Sequence, residues 1–147
     1  MIGNFYECNP VEADMVIVES SAWMFAGSGL KDGDKLPKVV GNEYDRVTPQ
    51  APTPLNIEVV AHSPVRCGGK RSFADMSYYT APSGAGVFAT GTFRWEPHLG
   101  EVCPDDKVIG VDCQIRKVTM NILKAFAAGP AGIPHPSTSN LAKLGIR

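Results

Sequence analysis

The sequence lacks the motifs that mark several common classes of enzyme and binding protein. Its 4 cysteines are widely spaced, and without a CxxC pair neither a zinc ribbon nor a thioredoxin-like motif is supported. No GxSxG elbow occurs, which removes the usual signal of an α/β-hydrolase nucleophile. No apolar run approaches the roughly 18 residues of a membrane span. These absences favour a soluble globular protein without a recognisable catalytic motif.

An excess of charge of one sign is also lacking. The 14 basic and 15 acidic residues leave a net charge of −1, so neither nucleic acid nor a membrane surface is an expected partner. The first residues do not have the charged and apolar regions of a signal peptide. We therefore expect a cytoplasmic protein whose cysteines are mainly free thiols, with one disulfide as the alternative.

The 147 residues suit one domain, and alternating or compact apolar runs predict about six strands. Proline and glycine clusters separate these runs and predict turns, among them a hairpin turn at residues 82–86. The predicted strands cover residues 2–8, 14–19, 39–44, 55–61, 75–80 and 86–93.

A single long helix is predicted near the end of the chain, over residues 107–128. Its apolar residues recur every three or four positions and form one face: Val111, Ile115, Val118, Ile122 and Phe126. Asp105 and Asp106 suit the positive N-terminal end of the helix dipole, and Gly129 and Pro130 end the helix. We predict one mixed α/β domain over residues 1–128 and a Pro-, Ser- and Gly-rich tail over residues 129–147.

Three groups of segments, in order along nearly the whole chain, resemble the C-terminal region of the N,N-dimethylformamidase large (beta) subunit and its relatives. Each group alone is a weak indication of this family, and the three groups in the same order are a fairly specific one. They comprise residues 23–34 with 41–46, residues 74–79 with 82–95, and residues 118–123 with 129–132 and 135–136.

This resemblance implies a partial glutamine-amidotransferase-like layer, of which the chain would be the last part. It also implies a parent activity, the hydrolysis of an N-substituted formamide to formate and an amine. Relatives are similar in holding iron with two tyrosines and a glutamate. Those ligands are expected outside this chain, so no iron ligand is assigned to a residue here. Because a strand begins almost at Met1, we expect the chain to begin inside a larger fold.

The residues themselves suggest catalytic candidates for amide hydrolysis, which needs an activated water, an oxyanion stabiliser and a proton shuttle. We select Glu43, Asp45 and His62. Glu43 and Asp45 lie at the end of an apolar strand, where active groups of open α/β sheets often lie. The alternative is that either carboxylate pairs with Arg46 or caps a neighbouring loop.

Other candidates have stronger structural explanations. Tyr78 and Tyr79 are adjacent in a strand and point to opposite faces, so they cannot easily hold one metal ion together. A triad of Ser83, His62 and Asp75 can be drawn, although no spacing requires it. The basic glycine segment at residues 66–71 either binds an anion or is a solvated loop.

Two interpretations of the whole chain follow. In the first, it completes a hydrolase whose reacting centre lies in an upstream half, and it is not catalytic alone. In the second, it is a free-standing module that binds a ligand or a protein. Removing half of an α/β sheet would leave an unpaired strand edge, so the second interpretation predicts a homo-oligomer, most simply a dimer.

Overall fold

The computed structural model describes residues 2–49, 52–100, 103–104 and 108–146, and it confirms the mixed α/β class. Within those ranges, five strands lie in a two-stranded and a three-stranded sheet, and every pair of strands is antiparallel. The elements in chain order are β1 (Phe5–Val16), a 3-10 helix (Trp23–Phe25), β2 (Lys35–Arg46), β3 (Glu58–Cys67), β4 (Lys70–Thr80), β5 (Gly86–Ala89), a second 3-10 helix (Phe93–Leu99) and α1 (Gly110–Ala127).

About six strands are predicted, and the described ranges contain five. The predicted strands at residues 2–8 and 14–19 belong to one long strand, β1, which pairs with β2 from Phe5 to Val16. The register of this pair shifts at three places, the last between Ala13 and Met15. Such shifts interrupt the alternation of side chains between faces. The sequence of one irregular strand therefore looks like two short strands.

The basic glycine segment at residues 66–71 consists of a hairpin turn and the strand residues on either side of it. Cys67 pairs with Lys70, and Gly68 and Gly69 form the turn between them. Both glycines have positive φ, 54° and 78°. A two-residue turn of this kind needs positive φ at both central positions, which glycine adopts without steric strain. The predicted second hairpin is confirmed, since β4 pairs with β5 through Thr80 and Gly86.

The two sheets join at both edges. Ile17, just after β1, bridges to Ala61 of β3, and the amide of Val18 donates to the carbonyl of Val60 at 3.0 Å. On the other side, Tyr44 of β2 bridges to Thr92. The strands therefore follow one another around a ring in the order β2, β1, β3, β4, β5, and the two sheets of this ring meet only at isolated bridges.

The helix α1 packs against both 3-10 helices and contributes one face to the main core. Ile115, Val118 and Ile122 are buried in the main core, as their spacing predicts, whereas Phe126 is 37 % exposed. Their burial is a large apolar contribution, about 1.5–3 kcal/mol for each such side chain. The predicted capping role of residues 105–106 lies outside the described residues.

All four cysteines are paired, so the expectation of mainly free thiols is wrong. Cys8 of β1 is bonded to Cys67 at the end of β3, and Cys103 is bonded to Cys113 of α1. The first bond joins one strand of each sheet, and the second holds the segment before α1 against the helix. Cys8 and Cys67 lie 59 residues apart in sequence and meet only through the tertiary fold.

The last residues pack against the start of β3. The side-chain amide of Asn140 accepts from the backbone N–H of Val59 at 2.9 Å and donates to its carbonyl at 2.8 Å. It therefore pairs with the backbone as a neighbouring strand would. Leu141 and Leu144 cover a small second core that includes Ile57 and Val59. Within the described residues, no helix is both long and apolar enough to span a membrane.

Candidate functional site

Two of the predicted catalytic residues share one cleft. Glu43 and Asp45 are alternate residues of β2, so their side chains project from the same face of the strand. Both line a cleft of about 290 Å³, together with Phe88 and Phe93. The cleft therefore combines two carboxylates with aromatic walls.

The backbone brings Asp45 close to the turn after β5. The amide of Asp45 donates to the carbonyl of Gly91 at 2.9 Å, beside the bridge between Tyr44 and Thr92. Burial raises the pKa of Asp45 above its ordinary value, and the negative charge of Glu43 raises it further. Both effects disfavour the charged form of Asp45.

Gly91 forms the floor of the cleft and needs to be glycine. Its φ is +69°, and a Cβ placed on it would lie 2.1 Å from the backbone oxygen of Asp75. Only a residue without a side chain allows this approach. The floor of the carboxylate cleft is therefore packed directly against the backbone of β4.

His62, the third predicted catalytic residue, does not join this cleft. Its Nδ1 lies 2.6 Å from Oδ1 of Asp75 on the neighbouring strand. Its ring stacks on Phe73, with centroids 3.9 Å apart and planes inclined by 12°. The predicted site is thus divided, with the carboxylates in one place and the imidazole in another.

Asp75 holds several segments together. It is 1 % exposed, and its Oδ2 accepts from the amide of Val47 at 2.9 Å. Its backbone carbonyl accepts from Nδ2 of Asn4 at 2.5 Å. Through His62, Val47 and Asn4 it connects β4 to β3, to the segment after β2 and to the N-terminal segment. The bonds to His62 and Val47 satisfy the buried carboxylate, as burial requires.

The triad that could be drawn with Ser83 does not form. Ser83 is exposed in the turn between β4 and β5, where its hydroxyl accepts from the amide of Ala85 at 3.4 Å. His62 does pair with Asp75, but Ser83 and its hydroxyl lie in the turn beyond the C-terminal end of β4. The dyad therefore orients the imidazole without activating that serine.

The two tyrosines separate as predicted. Tyr78 is 1 % exposed, and its hydroxyl donates to the carbonyl of His135 at 2.9 Å. Tyr79 is partly buried and packs on the second core, with Ile57 and Val59. They serve different cores on opposite faces of β4. Within the described ranges, no group of three or more His, Cys, Asp or Glu side chains could hold a metal ion.

The sequence did not associate Phe88 and Phe93 with Glu43 and Asp45. The two groups lie about a third of the chain apart in sequence, and the bridge from Tyr44 to Thr92 brings them together. A bridge between residues so distant in sequence produces no pattern in the local sequence from which it could be predicted. The side chain of Thr92 accepts from the amide of Gly41 at 2.9 Å, which is a second long-range bond at the same junction.

Comparison with known proteins places the chain in a family. No curated protein sequence matches it. The family model described as N,N-dimethylformamidase beta subunit-like, C-terminal, matches residues 1–107 and so includes all five strands, the carboxylate cleft and the bonds of Asp75. The chain belongs to the N,N-dimethylformamidase beta subunit-like C-terminal domain family.

Proposed function

We propose that this chain is an accessory domain of an N,N-dimethylformamidase-like amide hydrolase and does not hydrolyse formamides by itself. The observation that carries the proposal is the division of the predicted site. His62 is bound to Asp75, while Glu43 and Asp45 face a separate cleft. An imidazole and a carboxylate that act on one substrate must both reach it within hydrogen-bonding distance.

The described lining of the cleft also offers no cationic side chain to stabilise negative charge. An amide carbonyl under attack develops charge on its oxygen, and hydrogen-bond donors or a metal ion must stabilise that charge. Among the described residues that line the cleft, Glu43 and Asp45 carry negative charge and no side chain is cationic. Two carboxylates beside a developing oxyanion would raise the barrier rather than lower it.

In this proposal the reacting centre belongs to an upstream half of the hydrolase. The iron of related enzymes, with its tyrosine and glutamate ligands, would lie there. That this chain is the last part of a glutamine-amidotransferase-like layer stays a prediction. The five-stranded ring would serve as a rigid support for that half. Localisation stays a prediction. The two disulfides favour an oxidising environment over the expected cytoplasm.

A free-standing binding module is the second candidate, and one observation favours it. The ring joins both sheets at their edges, and α1 covers the main core. A unit joined in this way can fold without a second half. The predicted homodimer stays a prediction, and light scattering at high concentration would test it.

The decisive experiment measures iron content and amine release from N,N-dimethylformamide. The chain is assayed alone and beside a family subunit that carries the two tyrosines and the glutamate. We expect no release by the chain alone and a higher rate, or a higher unfolding temperature, of the subunit when the chain is added. Stoichiometric iron and amine release by the chain alone would contradict the proposal. No effect on the subunit would favour the free-standing module.

The double variant Glu43→Gln/Asp45→Asn is the matched control for the cleft. If the domain is a support, the variant should assist the catalytic subunit as well as the wild type does. A variant that binds the subunit normally but abolishes its activity would place these carboxylates in the reaction and would contradict a purely supporting role.

A further inference from the structure

A second pocket lies on the other side of β2, beside the turn of the β3–β4 hairpin. We call it the hairpin pocket, and its volume is about 390 Å³, within the range of small-molecule sites. Its walls come from the start of β1, the end of β2 and the start of β4. The residues that matter here are Glu7, Arg46, Lys70, Arg71 and Ser72.

The charge of the hairpin pocket is opposite to that of the carboxylate cleft. Arg46, Lys70 and Arg71 are cationic, and Glu7 is the one carboxylate among the described lining residues. This local positive excess occurs on a chain whose net charge is −1. A concave surface of one sign concentrates ions of the other sign. The pocket should therefore attract anions.

Glu7 shows how the pocket holds an oxyanion. Its Oε2 accepts from the hydroxyl of Ser72 at 2.6 Å, and its Oε1 lies 3.3 Å from Nη1 of Arg46. Burial acts to raise the pKa of Glu7, but hydrogen bonds from Ser72 and Tyr44 and the charge of Arg46 outweigh burial and lower that pKa. The surroundings thus favour a charged carboxylate.

A disulfide fixes the walls of the hairpin pocket. Cys8, next to Glu7, is bonded to Cys67, and Cys67 pairs with Lys70 across the hairpin turn. The covalent bond limits how far the strand that carries Glu7 can move from the strand that carries Lys70 and Arg71. A site whose walls are already in place loses less conformational entropy when a ligand binds.

We propose that the hairpin pocket binds a small oxyanion, a carboxylate or phosphate, with Lys70 and Arg71 as the recognising cations. Arg46 is already bound to Glu7 and forms the supporting wall. This inference is independent of the proposed accessory function, because it uses no residue of the carboxylate cleft. It also gives the basic glycine segment at residues 66–71 a role in binding.

The test is titration of the whole chain with sodium acetate and, separately, sodium phosphate, followed by backbone amide NMR shifts. Sodium chloride at matched ionic strength is the reference. We expect saturable shifts at the hairpin pocket, with a Kd on the order of millimolar. In Lys70→Gln/Arg71→Gln binding should weaken by about tenfold, the effect of losing charge-assisted hydrogen bonds. The acetate and phosphate titrations distinguish a carboxylate from a phosphate ligand.

Two controls keep the result specific. Lys31→Gln/Lys35→Gln removes the same charge from exposed residues elsewhere and should leave binding unchanged. Lys70→Arg/Arg71→Lys keeps both charges and should restore most of the affinity. Equal shifts in sodium chloride, or equal weakening in both glutamine variants, would overturn the proposal, because either result would show only a response to overall charge.

Discussion

Two polar regions of this molecule both contain aspartate carboxylates and differ in what surrounds those carboxylates. At Asp75 the carboxylate is 1 % exposed and is bonded to His62 and to the amide of Val47. In the cleft, Glu43 and Asp45 are only partly buried, and the pKa of Asp45 is raised by burial and by Glu43. One region has its hydrogen bonds satisfied within the fold, whereas the other faces an open volume.

The difference shows that a carboxylate near a histidine is not by itself a sign of catalysis. The acceptor atoms of Asp75 bind two segments that the chain must bring together, and this use explains the residue without a substrate. The cleft also contacts Asp75, because Gly91 of the cleft packs against the backbone carbonyl of Asp75. Substitutions in the two regions should therefore have opposite effects on stability.

The largest effect is expected for Asp75→Ala. It leaves the amide of Val47 and the ring of His62 without their partner, and breaking a buried pair in this way costs about 3–5 kcal/mol. Urea unfolding followed by circular dichroism measures the loss. Asp75→Asn is the control, because its amide keeps the shape and one acceptor, so it should lose less. A loss below about 1 kcal/mol in Asp75→Ala would remove the structural role assigned here.

A smaller effect is expected for His62→Ala. Asp75 keeps its bond to Val47 but loses its partner on β3, and Phe73 loses its stacked neighbour. The expected loss is about 1–3 kcal/mol, the usual range for one unsatisfied buried group. The double variant His62→Ala/Asp75→Ala completes a cycle, and its loss should fall short of the sum of the single losses. Additive losses would mean that the two side chains do not interact in solution.

Most of the local structure followed from the sequence. Glycine and proline marked the turns, and the spacing of Ile115, Val118 and Ile122 predicted the buried face of α1 correctly. β1 was divided in two because its register shifts break the alternation on which the prediction depends. The ring was not predicted, since it rests on two isolated bridges between distant residues, and such contacts leave no periodic signal.

The candidate site was predicted only in part. Glu43 and Asp45 share a face because residues two apart in a strand must do so. His62 was expected to act with them, yet its partner Asp75 stands opposite it in the β3–β4 pair. The sequence contains both residues but not the register that joins them.

The smallest effect, and the opposite sign, is expected for Asp45→Asn. The folded-state pKa of Asp45 lies above its ordinary value because of burial and Glu43. Its contribution to stability is therefore full below the ordinary pKa and is lost as pH rises through the raised pKa. Asparagine removes the charge, so at pH 7 the variant should melt about 1–3 °C higher than the wild type, a small gain because the group is partly solvated.

The pH dependence of that gain separates charge from packing. The difference in melting temperature between Asp45→Asn and the wild type should shrink as pH falls below the ordinary range of an aspartate, where both side chains are neutral. Glu96→Gln removes one charge from an exposed residue and should show no comparable change. If Asp45→Asn lowers the melting temperature at pH 7, the Asp45 carboxylate stabilises the fold. The cleft would then not differ in this respect from Asp75, whose hydrogen bonds are made within the fold.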